Sequence, residues 1–277
     1  MAPTEFGTLY IVATPIGNLE DITYRAVRVL GEVDRIACED TRQTRRLLDH
    51  YGINKPLVSY HDHNEQEKSD DLVRDLQAGR NIALVSDAGT PLIADPGYRL
   101  VEKARAAGIA VIPIPGPSAI LAALSASGLP TDSFEFHGFF PAKTTQRKNL
   151  LQRLLDSEST QVFYEAPHRI IEALDDIAEV LGDRPVVVAR ELTKIHEEFL
   201  SGTASLIRDS LRSRNAIRGE FTVMIGKGAG RPMDRRPVEE AVEELIALGM
   251  SRMDAYKRVA RERGISKRDV YKQIETK

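Results

Sequence analysis

Asn81-Ile82-Ala83-Leu84-Val85-Ser86-Asp87-Ala88-Gly89-Thr90-Pro91-Leu92-Ile93-Ala94-Asp95-Pro96-Gly97 runs from a short apolar strand into a turn crowded with Gly, Pro and acid, and a helical pattern follows over 98–107. The order reads as strand, loop, helix. Glycine admits positive φ and lets a ligand approach the backbone. Proline fixes φ and removes an amide donor, so the loop 86–97 is both stiff and open. Two uses fit it. Either it lines a ligand site, or it is a structural connection in which Asp95 caps a helix that Pro96 begins.

The same grammar extends to both sides. An apolar run at 9–13 ends in Thr14-Pro15-Ile16-Gly17-Asn18 and precedes a helical pattern at 23–30. A strand at 35–38 leads to a helix at 41–51, and one at 109–114 ends in Pro115-Gly116-Pro117 before a helix at 118–126. Short apolar strands alternating with helices predict an α/β fold with a largely parallel sheet. After an aromatic-rich stretch at 133–139, a basic helix at 145–155, strands at 160–164, 185–189 and 220–225, and helices at 167–181 and 203–214 predict a second α/β unit. The Gly- and Pro-rich stretch 226–237 reads as a linker. Beyond it, helical patterns at 238–248, 250–263 and 266–274 meet at Gly249 and Gly264. The expected domains are therefore an N-terminal α/β domain over 1–114, a second α/β domain over 115–228, and a small C-terminal all-helical module over 233–277.

A chain of 277 residues buries a sizeable core without disulfides, and the single Cys38 forms none internally. The net charge of −3 excludes a polycation that binds nucleic acid indiscriminately, so any such binding is local. Residues 251–277 supply one local excess, nine Lys or Arg against four Asp or Glu. The start lacks the pattern of a signal peptide, and no apolar run approaches the roughly 20 residues that span a bilayer, so a cytoplasmic protein is expected.

Ligands of open α/β sheets bind beyond the carboxyl ends of the strands, where the Gly/Pro turns fall. Gly226-Lys227-Gly228-Ala229-Gly230 imitates a dinucleotide fingerprint, but Arg231-Pro232 cannot open the helix that would present amides to a pyrophosphate, and no phosphate loop occurs. Six His and one Cys, without paired spacing, argue against a metal, His61-Asp62-His63 included. Tyr164-Glu165-Ala166-Pro167-His168-Arg169 and Arg190-Glu191-Leu192-Thr193-Lys194 place charged pairs where strands end. Such pairs either anchor a ligand or cap and pair one another.

Seven blocks in order carry a resemblance: Ala13-Thr14-Pro15-Ile16-Gly17-Asn18-Leu19, Cys38-Glu39-Asp40-Thr41-Arg42, Ser86-Asp87-Ala88-Gly89-Thr90-Pro91 with Asp95-Pro96-Gly97, Pro113-Ile114-Pro115-Gly116-Pro117-Ser118, the two strand-end blocks above, and Gly219-Glu220-Phe221. Together they resemble the tetrapyrrole methylase superfamily, and within it the ribosomal RNA small subunit methyltransferase I family, over nearly the whole chain. Small-molecule members of the superfamily open with Gly-x-Gly-Pro-Gly-Asp; Thr14-Pro15-Ile16-Gly17-Asn18 fits the RNA branch instead.

The resemblance implies a homodimer with a two-domain fold, S-adenosyl-L-methionine bound between the domains, and 2′-O-methylation of a decoding-centre cytidine of 16S rRNA in the 30S subunit. By position, the donor touches Pro15, Asp87, Ala88, Gly89, Thr90, Pro91, Asp95, Ser118, Tyr164, Arg190, Glu191, Leu192, Glu220, Phe221 and Thr222. A weakly acidic ribose hydroxyl calls for a base and a cation; Glu165 is the expected base, with Lys194 or Arg42 as stabiliser. Phosphate contacts are expected from Lys143, Arg147, Lys148 and Arg153, and from Lys257, Arg258, Arg261, Lys267 and Arg268 in a module of helix-turn-helix proportions. The competing readings are a tetrapyrrole-precursor methylase and a ligand-sensing DNA-binding regulator.

Overall fold

The structure, a computed structural model, describes residues 6–228, 236–263 and 265–275, with side chains omitted at 261, 262 and 275. Residues up to 152, together with 159–226, form one compact unit; residues 153–158 and 227–277 form another. Most of the expected linker and Gly264 lie outside the described residues.

The first half of the larger unit is a five-stranded sheet of β1 (Thr8–Val12), β2 (Arg35–Cys38), β3 (Leu57–Ser59), β4 (Ile82–Val85) and β5 (Ala110–Ile114), in the order β3-β2-β4-β1-β5, all parallel. Helices α1 (Tyr24–Glu32), α2 (Thr41–His50), α3 (Glu65–Gln77) and α4 (Tyr98–Ala106) make the crossovers. Both faces of the sheet are buried, which the strand sequences record. Ala83 and Val85 of β4 join α1 and α2 in one core, and Ile82 and Leu84 join α3 and α4 in the other. The chain leaves β1 towards β2 and leaves β4 towards β5, in opposite directions across the sheet. That divergence opens a crevice at the carboxyl ends of β1 and β4.

The second sheet holds β6 (Phe134–Phe139), β7 (Thr160–Glu165), β8 (Pro185–Arg190), β9 (Glu198–Thr203) and β10 (Phe221–Ile225), in the order β6-β7-β10-β8-β9. Only β6 and β7 run parallel; the other three pairings are antiparallel. Helix α5 (Ala119–Ser127) packs Ile120, Ala123 and Leu124 on Val162, Val187 and Met224. Helices α7 (Ile170–Leu181) and α8 (Ala204–Arg212) pack together. Strands β3 and β9 and helix α3 are absent from the sequence reading, and β6 is the stretch expected only to be rich in aromatics. Asp95 does not cap α4 either: the capping position is Gly97, at φ 143°, and a Cβ there would lie 2.8 Å from Leu84 Cδ2.

Helix α6 (Thr144–Arg153) corrects an expectation. Arg147 does not face solvent: its side chain is 1% exposed, and its Nε donates to Asp176 Oδ2 at 2.6 Å. Its Nη1 reaches the carbonyl of Pro141 at 3.1 Å. Lys148 is spent on Glu179 at 2.6 Å. Lys143 and Arg153 are exposed.

In the smaller unit, α9 (Val238–Ala247), α10 (Arg252–Glu262) and α11 (Lys267–Glu275) enclose Val238, Val242, Ala255, Tyr256, Val259 and Val270. Ser251 and Ser266 cap α10 and α11, accepting from the amides of Asp254 (3.2 Å) and Asp269 (3.1 Å), while the two carboxylates accept from the serine hydroxyls. Lys257, Arg258, Lys267 and Arg268 are exposed. The side chain of Arg261 lies outside the described residues. Among the described residues, no helix is long and apolar enough to cross a membrane.

Arg147→Ala takes the close partner from the buried Asp176 carboxylate and leaves it Lys148 at 3.7 Å. A loss of about 3–5 kcal/mol is expected, measured by urea unfolding, and Arg147→Met with Asp176→Leu should recover most of it.

Candidate functional site

The crevice at β1 and β4 is closed by backbone pairing of two loops. Thr14 donates its amide to the Gly89 carbonyl (2.8 Å) and accepts the Gly89 amide (3.0 Å). The buried Thr14 hydroxyl donates to the Ser86 carbonyl (3.0 Å). Thr90 Oγ1 ties the loop to the Pro117 carbonyl (3.2 Å), and the Asp40 amide donates to Asp87 Oδ1 (3.0 Å). Loop 86–97 is thereby pinned to the turns after β1, β2 and β5. Leu92 and Ala94 sit at φ 72° and 66°, left-handed values that cost non-glycine residues about 1 kcal/mol or more each.

A cavity of about 420 Å³ lies against this loop. The first half of the unit contributes Ile16, Asp87 to Thr90 and Ile93 to Asp95; Ser118 and Ala119 follow; the second sheet adds Phe139, Tyr164 to Pro167 and Glu220 to Thr222. Of the residues expected to touch a donor, Asp87, Ala88, Gly89, Thr90, Asp95, Ser118, Tyr164, Glu220, Phe221 and Thr222 meet here. Pro15, Pro91, Arg190, Glu191 and Leu192 stand outside the lining, Pro15 in an adjoining hollow. Leu192 is instead buried against Ile16 in the α5 core. Arg190 is held by Glu198 (2.9 Å) and the Arg218 carbonyl (2.6 Å). Sequence reading passed over Ile93, Phe139 and Pro167. Their one signal is apolar character at the ends of Gly/Pro turns, which core residues share.

Electrostatically the cavity is acidic. Burial pushes the Asp95 carboxyl up to about 6, with Glu39, Asp87 and Asp62 adding repulsion and the Ser86 hydroxyl opposing. Glu39 is raised by burial and by Asp87 and Asp62. The Tyr164 phenol is pushed up to about 12 by burial, then by Asp95 and Glu220. A cavity with apolar walls and several carboxylates suits a cationic ligand with a flat apolar portion.

The residues expected to carry chemistry separate. Glu165 reaches the cavity wall, but its side chain is 0% exposed, its Oε1 accepts from the Ala166 amide (2.8 Å), and Arg169 lies 2.9 Å away. It is a paired structural carboxylate, already occupied. Arg42 is solvent-exposed and tied to Asp40 (2.9 Å), away from the cavity. Lys194 lines a hollow that adjoins the cavity. Its Nζ donates to Glu191 Oε1 (2.8 Å) and Glu220 Oε2 (3.0 Å). Burial lowers its pKa, but the two carboxylates outweigh that and the net direction is up. Lys194 therefore stays a cation and takes no proton near neutral pH. A Cβ on Gly17 would lie 2.5 Å from Lys194 Cγ, so the β1 turn and the β8 turn touch only because residue 17 is glycine. Glu191 and Thr193 beside it also carry positive φ, 50° and 65°. No group of three or more metal-ligating side chains stands together among the described residues.

A family profile described as Tetrapyrrole (Corrin/Porphyrin) Methylases matches residues 8–208. The ribosomal RNA small subunit methyltransferase I of Halalkalibacterium halodurans is 51% identical over 272 residues, covering 96% of this chain and 93% of that protein. The protein of the same name from Synechocystis is 47% identical over 272 residues and covers 96% of each. Among solved structures, uroporphyrin-III C-methyltransferase from Thermus thermophilus, complexed with S-adenyl homocysteine, superposes with a TM-score of 0.54 at 18% identity. That match covers 79% of this chain and 97% of that one, a likeness of fold.

The raised Asp95 carboxyl makes a prediction of definite sign. Its folded value lies above its ordinary 3.8, so the folded chain holds the proton more tightly, and stability falls as pH rises from about 4 to about 6. Asp95→Asn keeps the neutral form at every pH. Its thermal midpoint is expected to match the parent near pH 4 and exceed it above pH 6; parallel curves across that range would show an ordinary carboxyl.

Proposed function

The chain belongs to the tetrapyrrole methylase family and, within it, to the ribosomal RNA small subunit methyltransferase I family, and on that footing we propose that it transfers a methyl group from S-adenosyl-L-methionine to the 2′-hydroxyl of a decoding-centre cytidine of 16S rRNA. The observation that carries the reading is the cavity at the crevice, apolar in its walls and acidic in its charge, with the Lys194 cation in the adjoining hollow.

The residues present fit the donor. Ile16, Ile93, Ala119 and Phe221 offer an apolar seat for an adenine ring, and Asp87 and Asp95 in the same lining would favour the positive charge of the donor. When bound, the sulfonium supplies an electrophilic methyl group. The protein's part is to align a hydroxyl with it, and positioning of this kind is worth an effective molarity of roughly 10⁵ M or more. Lys194, fixed by two carboxylates, stabilises negative charge that develops on the attacking oxygen. Glu165, enclosed and paired, is no acceptor for the hydroxyl proton. Asp87 and Glu220 border both the cavity and the hollow beside it, and are the carboxylates in position to receive that proton.

The exposed Lys257, Lys267 and Arg268 of the smaller unit supply sequence-independent attraction to the rRNA backbone.

Labelled methyl transfer to 30S subunits, to free 16S rRNA and to a porphyrin precursor, with mapping of the modified nucleotide, tests the reading. Label on a ribose of the decoding centre is the expected result, and label on the macrocycle alone would end the proposal. Lys194→Ala is expected to lower kcat about 10²- to 10³-fold while donor affinity by calorimetry stays unchanged. Charge reversal at Lys267 and Arg268 should weaken 30S binding and flatten its salt dependence, leaving donor affinity alone.

A further inference from the structure

A second hollow of about 500 Å³ adjoins the first cavity and shares Ile16, Asp87, Ala88 and Glu220 with it. Its remaining wall comes from the β1 turn, from Lys194, and from one face of α2, where Gln43, Arg46 and Leu47 stand three and four residues apart. A third hollow of about 300 Å³ continues along that face, lined by Asp40, Arg42, Gln43 and Arg46. Gln43 and Arg46 belong to both outer hollows, so a track leads from the first cavity, past Lys194, to the arginine face of α2.

The side chains on the track differ in how they are used. Asp40 accepts from Arg42 with both carboxylate oxygens, and Arg45, turned away, donates to the Lys55 carbonyl (3.1 Å). Among the described residues Arg46 meets no carboxylate and the side chain of Gln43, whose backbone amide donates to Asp40, no hydrogen-bond partner; both are exposed. Pro15, Leu19 and Leu47 give the middle hollow an apolar floor, and it contains no aromatic ring.

We infer that this track is the acceptor subsite, taking one unstacked nucleotide of a single-stranded RNA, with its sugar beside Lys194, its base against Pro15, Leu19 and Leu47 within reach of the Gln43 amide, and a neighbouring phosphate on Arg46. The charge layout selects this ligand class. Anionic groups are welcome only on the α2 side, because Glu191, Glu220 and Asp87 line or flank the other. A nucleotide strand carries its charge along one edge and presents neutral hydroxyls on the sugar. A macrocycle with carboxylates around its whole rim would meet acid on one side whatever its orientation. The amide of Gln43 offers one donor and one acceptor group to a base edge, the complement of a pyrimidine edge. The inference rests on the donor reading of the first cavity.

The test is fluorescence anisotropy of a labelled, cytidine-containing single-stranded RNA against the full chain, over a range of salt, with donor affinity measured alongside. Arg46→Ala is expected to weaken RNA binding about tenfold and to reduce the slope of log affinity against log salt by about 0.7, the share of one phosphate on a single strand. Gln43→Ala should weaken binding with the slope unchanged, and both variants should keep donor affinity. Arg46→Glu should raise the KM for RNA far more than it lowers kcat. The subsite is overturned if Arg46→Ala and Gln43→Ala both bind within about twofold of the parent at the parental slope, or if the parent binds no RNA, or if uroporphyrinogen displaces the RNA from the parent and not from Arg46→Glu. RNA binding that follows these expectations without methyl transfer would remove the proposed reaction and leave the subsite standing.

Discussion

Two backbone hydrogen bonds, between Thr14 and Gly89, are the constraint on which the site depends. Parallel strands end without hairpins, so nothing in the ladder fixes what lies beyond their carboxyl ends. At the crevice the chain leaves β1 and β4 in opposite directions, and the two loops would drift apart but for this pair and the buried Thr14 hydroxyl on Ser86. Everything further out is registered to it. Ile16, two residues on, packs with Leu192 from the turn after β8, and Gly17 lies against Lys194. The position of the Lys194 cation is therefore tied to backbone pairing between the two loops beyond the first sheet.

The same geometry divides the electrostatic labour. Acids gather where burial and mutual repulsion raise them, so the cavity favours a ligand that brings positive charge. The cation is held apart, with two carboxylates keeping it protonated at the cost of part of its own field. A lysine paired in this way shows little net charge to its surroundings, because Glu191 and Glu220 take up its donors. Left-handed backbone at Leu92, Ala94, Glu191 and Thr193 is the strain that these loops carry to keep both groups in place.

Much of this was legible in the sequence because βα repetition writes itself in hydrophobic runs and Gly/Pro turns. What escaped did so for physical reasons. Strand β3 is three residues long and half-buried, too short for a periodicity to show. Helix α3 is rich in charge, and only Ser69, Leu72 and Leu76 mark its buried face. Strand β9 buries none of its residues fully, because it is an edge strand. Side-chain roles were harder still. Arg147 and Lys194 are both basic residues near polar neighbours, yet one is enclosed by Asp176 and the other opens on a hollow, a difference created by helix packing and strand register. Asp95 looked like a helix cap until the chain turned at Gly97, two residues later.

The order of the second sheet carries a consequence for synthesis. Strand β10, the last strand along the chain among the described residues, takes the central place between β7 and β8, made earlier. Until it emerges from the ribosome, β7 and β8 have no common neighbour, and the cavity lacks Phe221, Thr222 and the Glu220 that steadies Lys194. Closing pairs so distant in sequence is slow compared with local helix formation. A growing chain thus makes all five strands of its parallel sheet before it makes the central strand of the second, and no nascent fragment ending before residue 220 holds the cavity in finished form.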